Sequence, residues 1–369
     1  MKSSPAAEPG ARHLAEPGGG RRPDGADGGG AAARTGPGGA AARGTATVLL
    51  VVATVLAGTL SPMQSAVNGR LGQSLGDGHA AALVSFGVGL VLMAVVVGAR
   101  PATRRAALAI PGQIRGRTLP WWNYAAGLCG AVIVLSEGVT VGVLGVATFQ
   151  IALICGLVVS GIICDRFGVT ADVKQPFTLP RATGAILAIV ATIVVISPSF
   201  QVPHAVALAV MPFVGGLLAG WQPAGNAAVA RTADSMLVSI GWNFLVGFCA
   251  LLVAYGIRAA TGGVTFSLPG DWWLYLGGPL GLLSIALMAL LVRGLGLLLL
   301  GLASTAGQLV GSLVLDWSLP SLGHAVHLAT LVGTLLALIA AGIGMLPSRK
   351  GGPVPVPAPA AAAEDGGAS

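Results

Sequence analysis

A chain of 369 residues with 54% apolar and only 9% charged side chains lies far below the roughly one-quarter charged content of ordinary soluble domains. The balance excludes such a domain and points to a polytopic membrane protein. A formal charge of +7 would suit nucleic acid, but the basic residues follow a membrane topology instead, so no nucleic-acid partner is expected.

Residues 1–45 are Gly, Ala, Pro and Arg with almost no large apolar side chains, and are expected to form a disordered cytoplasmic tail. Their glycine runs, Gly18–Gly20 and Gly28–Gly30, lack the strand, helix and lysine of a phosphate-cradling loop. No convincing cleavage site marks a secretory signal. Beyond the tail, a helix needs about 20 apolar residues to cross the hydrocarbon. Ten stretches qualify: 46–69, 79–99, 121–140, 143–164, 182–198, 205–229, 234–257, 272–291, 294–315 and 324–346. They divide into a first five-span unit at 46–200 and a second at 201–347, followed by another disordered cytoplasmic tail at 348–369.

The two units repeat each other. Gln64-x3-Asn68 and Phe86-x2-Gly89 return 158 residues later as Gln222-x3-Asn226 and Phe244-x2-Gly247, with Ser85 meeting Asn243 in the same register. Further along the offset is 151: Trp121-Trp122-x-Tyr124 matches Trp272-Trp273-x-Tyr275, Gly127 and Gly130 match Gly278 and Gly281, Gly156 matches Gly307, and Asp165 matches Asp316. Units this long are duplicated domains, not solenoid repeats.

Five is odd, so the second copy enters the membrane from the side opposite to the first. The expected fold is therefore an all-α integral membrane protein of ten transmembrane helices, arranged as two inverted five-helix repeats. With both termini in the cytoplasm, every Lys and Arg except Arg70 and Arg258 falls on the cytoplasmic side. Inverted repeats form a site between their halves that rocking exposes to either face.

The motifs Gln64-x3-Asn68 with Ser85-Phe86-x2-Gly89, and Gln222-x3-Asn226 with Asn243-Phe244-x2-Gly247, resemble those of the drug/metabolite transporter superfamily. The nearer likeness is to its branch of small bacterial inner-membrane proteins, which occur as five-span units and as fused ten-span chains. Gly307-Gln308-Leu309-x2-Ser312-x3-Asp316 resembles a later motif of that branch. The first copy departs from it, reading Gly156-Leu157-Val158-x2-Gly161-x3-Asp165. The resemblance covers about residues 46–347 and implies a transporter built as two inverted five-helix repeats.

Gln64 and Asn68 share a helical face, as do Gln222 and Asn226. Their carboxamides suit a polar path, and equally suit interhelical hydrogen bonding. Ser85 and Asn243 occupy the matching polar position of the following span. Pro62 and Pro223 sit beside the glutamines as helix-break candidates, and breaks at corresponding places in two halves point to a transporter's site. Inversion sets the first Gln/Asn pair toward the outer end of its span and the second toward the inner end. The four residues therefore either converge on a central site or form an outer and an inner gate.

Glu137 lies near the outer end of span 3, with Met288 at the equivalent place. It reads either as an interfacial acid reaching water or as a carboxyl that binds a proton or a cationic substrate. Asp165 and Asp316 read as boundary residues, Arg293 as part of a short turn between spans 8 and 9, and the paired tryptophans as interface anchors. Cys129, Cys155, Cys164 and Cys249 read as packing residues. His324 and His327 lack a third ligand, so neither a metal nor a cofactor is expected.

The function expected is secondary transport of a small organic solute, a metabolite or drug-like compound, across the bacterial cytoplasmic membrane by alternating access. Export is one candidate direction and protons are a candidate coupling ion. No nucleotide-binding motif supports ATP-driven pumping, and the chain is not expected to be an enzyme. The alternatives are an integral membrane enzyme acting on lipid, or a channel or structural membrane protein. The scattered acids argue against the first, and duplication by inversion argues against the second.

Overall fold

The computed structural model describes residues 37–167, 173–174, 179–199, 203–262, 267–318, 327–344 and 354–355. The chain divides at Gly44, and the larger unit runs from Thr45 onward. The helices are α1 (Pro37–Gly58), α2 (Leu60–Leu75), α3 (Gly78–Gly98), α4 (Pro101–Arg115), α5 (Trp121–Tyr124), α6 (Gly127–Leu144), α7 (Val146–Phe167), α8 (Leu179–Ile196), α9 (Pro203–Ala219), α10 (Gln222–Thr232), α11 (Met236–Thr261), α12 (Gly277–Ser318) and α13 (Leu328–Gly344). The extended structure among the described residues is a two-residue antiparallel pairing of Val173–Lys174 with Val354–Pro355, the latter in the segment read from sequence as a tail.

Among the described residues, eight helical stretches are long and apolar enough to cross a membrane, α1 with α2 and α9 with α10 each counting as one. Gly277–Met288 and Leu328–Ile343 are apolar but shorter. Trp272–Tyr275 forms a separate 3₁₀ turn ahead of α12.

α12 carries a helical backbone pattern through 42 residues, which as a straight rod would reach about 63 Å, twice the hydrocarbon thickness. Its contacts reverse instead. Gly277 lies against Asn68, Gly281 against Gln64 and Gly294 against Leu50, so the first leg runs antiparallel to α2 and α1. The chain then returns, with Gly307 against Val55 and Gly58, and Gly311 against Thr59 and Pro62. α12 therefore doubles back between Gly294 and Gly307, beyond the turn at Arg293 that the sequence suggested.

Helix approach depends on glycine, and the close contacts of one half recur in the other. A Cβ on Gly156 would strike the Phe213 carbonyl, and one on Gly307 would strike the Val55 carbonyl. Gly127 lies against the backbone of Asn243 and Gly247, and Gly278 against that of Ser85 and Gly89. These pairs exchange under the same 158 and 151 offsets found in the sequence. In a bilayer, where lipid is as apolar as leucine, such small-residue contacts are a main source of helix association.

α3 and α11, equivalent in the repeat, pack antiparallel. Gly241 faces Val97 at one end and Asp77 pairs with Arg258 at 3.6 Å at the other. The rings of Phe86 and Phe244 meet between them with centroids 5.1 Å apart. The turns that lead into these helices are also the same device used twice. Gly76 and Asp234 both adopt positive φ (64° and 48°). The next residues, Asp77 and Ser235, cap α3 and α11 by accepting from backbone amides.

One helix went unread in the sequence. α4 carries Arg104, Arg105 and Arg115 on exposed positions, while Ile110 is fully buried against the cluster containing Met93, Val97 and Val238. It is an amphipathic helix, and its charges hide it from any search for apolar spans.

Candidate functional site

A cavity of about 230 Å³ lies among α2, α3, α6, α7, α10, α11 and α12. Its wall is built largely from matched positions of the two halves: Gln64 with Gln222, Ser85 with Asn243, Phe86 with Phe244, Gly130 with Gly281, Ile133 with Ser284, and Val134 with Ile285. Ser61, Glu137, Leu153 and Gly278 complete it. The glycines admit the amides: a Cβ at Gly281 would come within 2.9 Å of Gln64 Oε1, and one at Gly130 within 3.0 Å of Gln222 Nε2.

The two glutamines thus face one space, while the asparagines stand behind them. Asn68 is fully buried and donates from Nδ2 to Glu137 Oε2 at 2.6 Å. Asn226 accepts at Oδ1 from Asn243 Nδ2 at 2.8 Å, and Asn243 Oδ1 accepts from Gln222 Nε2 at 3.2 Å. The backbone carbonyl of Asn226 also accepts from Ser239 Oγ at 2.6 Å. Each asparagine therefore holds a cavity-lining residue in place. Gln64 has no hydrogen-bond partner among the described residues.

Pro62 and Pro223 fall in the first turns of α2 and α10, just after α1 ends at Gly58 and α9 ends at Ala219. A first turn tolerates the missing N–H. At the first junction both the backbone amide and Oγ1 of Thr59 donate to the Leu56 carbonyl, at 3.2 and 2.7 Å.

Glu137 is 3% exposed and lines the cavity, so the reading as an interfacial acid reaching water does not hold. Its Oε1 accepts from Ser65 Oγ at 2.9 Å, and Ser65 Oγ in turn accepts from Gln150 Nε2 at 3.0 Å. Ser65 and Gln150 were not singled out in the sequence. Gln150 is the one carboxamide in a span otherwise apolar but for Thr148 and Ser160, which was the available signal. The equivalents of Ser65, Glu137 and Gln150 are Pro223, Met288 and Gly301, so this polar cluster belongs to the first half alone.

Asp316 is more than a boundary residue. It is 7% exposed, and its two oxygens accept from the backbone amides of Val146 and Ala147, each at 2.8 Å. A carboxylate over a helix N-terminus satisfies orphan donors and matches the helix dipole. That cap allows α6 to pass into α7 through Gly145 alone, at φ 81°. The side chains of Asp165 and Arg293, and all of His324, lie outside the described residues. Trp121, Trp122, Trp272 and Trp273 are exposed and do not line the cavity.

A family model described as "Putative inner membrane exporter, YdcZ", of the DMT superfamily, matches residues 49–194 and, a second time, residues 207–343. The chain belongs to that family. Membership makes it a multi-pass membrane protein of an exporter family, in agreement with the resemblance read from the motifs. The double match also makes the duplication a property of the family's own unit, with both glutamines of the cavity inside matched segments. No curated protein matches the chain.

Proposed function

We propose that the protein is a secondary transporter that exports a small organic solute across the cytoplasmic membrane by alternating access. Its two five-helix halves are oppositely oriented, crossing the membrane ten times with both termini in the cytoplasm, and the cavity between them is the solute site. The observation that carries this reading is the wall of that cavity, drawn from six matched pairs of positions in the two halves. A site on the relation between repeats is where rocking of one half against the other changes its exposure. The antiparallel packing of the equivalent helices α3 and α11 favours the same arrangement, and so does the reversal within α12, which returns the chain across the membrane. Gln64, Ser85, Gln222 and Asn243 line the solute path, Asn68 and Asn226 hold the wall, and the interruptions beside Pro62 and Pro223 are where the helices flex. Energy comes from the gradient of the solute or of protons.

The test begins with a screen of toxic compounds and metabolites on a deletion strain against an overexpressing one. Compounds that separate the strains are then followed in proteoliposomes. A carrier gives trans-acceleration of the labelled solute. Flux without trans-acceleration would identify a channel and reject this mechanism.

A further inference from the structure

Resting on the transporter reading, we propose that the cavity takes a small protonated amine, its N–H-bearing cationic head on Glu137 and its apolar body against Phe86 and Phe244. Charge is the first reason. Among the described residues that line the cavity, Glu137 is the single ionisable side chain. Acids within membrane domains are costly and pair with a cation where one is within reach. The bonds from Ser65 and Asn68 fix one donor on each carboxylate oxygen. They orient the group and leave acceptor capacity open, since a carboxylate offers about four lone-pair sites.

Hydrogen-bonding stoichiometry narrows the cation. Gln222 gives one N–H to Asn243, and Asn243 gives one to Asn226, while Gln222 Oε1 accepts from no donor among the described residues. Gln64 adds a whole carboxamide, oxygen and NH2, without a partner among the described residues. Behind the wall, Asn68 Oδ1 and Gln150 Oε1 are buried without donors. The Glu137 carboxylate and the glutamine oxygens on the wall thus keep acceptor capacity that a ligand carrying N–H groups can meet. A quaternary ammonium brings charge but no donor, and a carboxylate brings neither. The Phe86 and Phe244 faces, both on the cavity wall, suit the cation and the hydrocarbon attached to it.

The site is also one-sided. Ser61, Ser65, Glu137 and Gln150 answer to Ala219, Pro223, Met288 and Gly301 in the second half. One amine binds, displaced toward α2 and α6.

The purified full chain in detergent is titrated calorimetrically with three probes of similar size: phenethylammonium, its trimethylated analogue and hydrocinnamate. The amine binds, trimethylation weakens binding by about tenfold, and the carboxylate gives no binding. Glu137→Gln weakens amine binding by about tenfold, and Gln64→Leu, which removes a side chain without a partner, by about threefold at unchanged melting temperature. Failure of the amine to bind the wild type, equal binding of hydrocinnamate, or wild-type affinity in both variants would overturn the proposal. Counterflow of other solutes with none of an amine would overturn it and leave the transporter reading standing. Amine binding with no flux of any solute would support it and overturn that reading.

Discussion

Asn68 on α2 donates to Glu137 on α6 across 2.6 Å, where both side chains are buried. This bond joins a motif legible in the sequence to an acid whose surroundings were not. It also turns Asn68 from a candidate lining residue into the support of one.

Replacing Asn68 with leucine removes a donor from a buried carboxylate. The expected cost is about 1–3 kcal/mol, the desolvation of an unmet charged acceptor. Thermal unfolding of purified protein measures it. In a double-mutant cycle with Glu137→Gln the two losses are less than additive, because the second change removes the charge that the first strands. Full additivity would mean that the bond carries no coupling.

The Gln-x3-Asn repeat, the Phe86/Phe244 equivalence and most helix positions were readable because each depends on local composition. α3 at Gly78–Gly98 lies within a residue of the 79–99 read from hydropathy. What escaped depends on how distant helices rotate against one another. Nothing near Asp316 announces that it caps α7 from 170 residues away. Gln150 and Ser65 meet Glu137 only once α2, α6 and α7 are packed. α4 escaped for another reason, since its arginines dilute an apolar face that a period of 3.6 would have exposed.

Asp316→Ala leaves the amides of Val146 and Ala147 without their acceptor. Loss of a side-chain cap costs about 0.5–2 kcal/mol, and the buried setting puts this site at the upper end. A lowered melting temperature is expected, and Asp316→Asn recovers part of the loss by keeping an acceptor oxygen.

The exchanged glycine contacts predict matched penalties. Gly156→Val and Gly307→Val each force a side chain against a carbonyl of the other half, so both destabilise by several kcal/mol, as overpacking at a close helix contact does. Gly98→Ala and Gly256→Ala, where nothing lies within 4 Å of an added Cβ, leave stability unchanged. Melting curves of the four variants decide it.

Arg258 and Asp77 make a peripheral pair. Arg258 is half exposed at its side chain but Asp77 is buried, so the pair exceeds the about 0–1 kcal/mol of fully exposed ones. Arg258→Gln is therefore expected to lower the melting temperature, and molar salt to reduce the difference only in part, because the Asp77 carboxylate stays buried.

If the two halves face opposite ways around one cavity, as proposed, equivalent positions open to opposite sides of the membrane. Gln73 and Arg231 stand at equivalent positions, 158 residues apart, and both are exposed. In a background lacking the exposed Cys249, each is replaced singly by cysteine and intact cells are treated with a membrane-impermeant thiol reagent. The account predicts labelling of Gln73→Cys from outside, and of Arg231→Cys only after the cytoplasmic face is opened to the reagent. Labelling of both positions from the same side would contradict it.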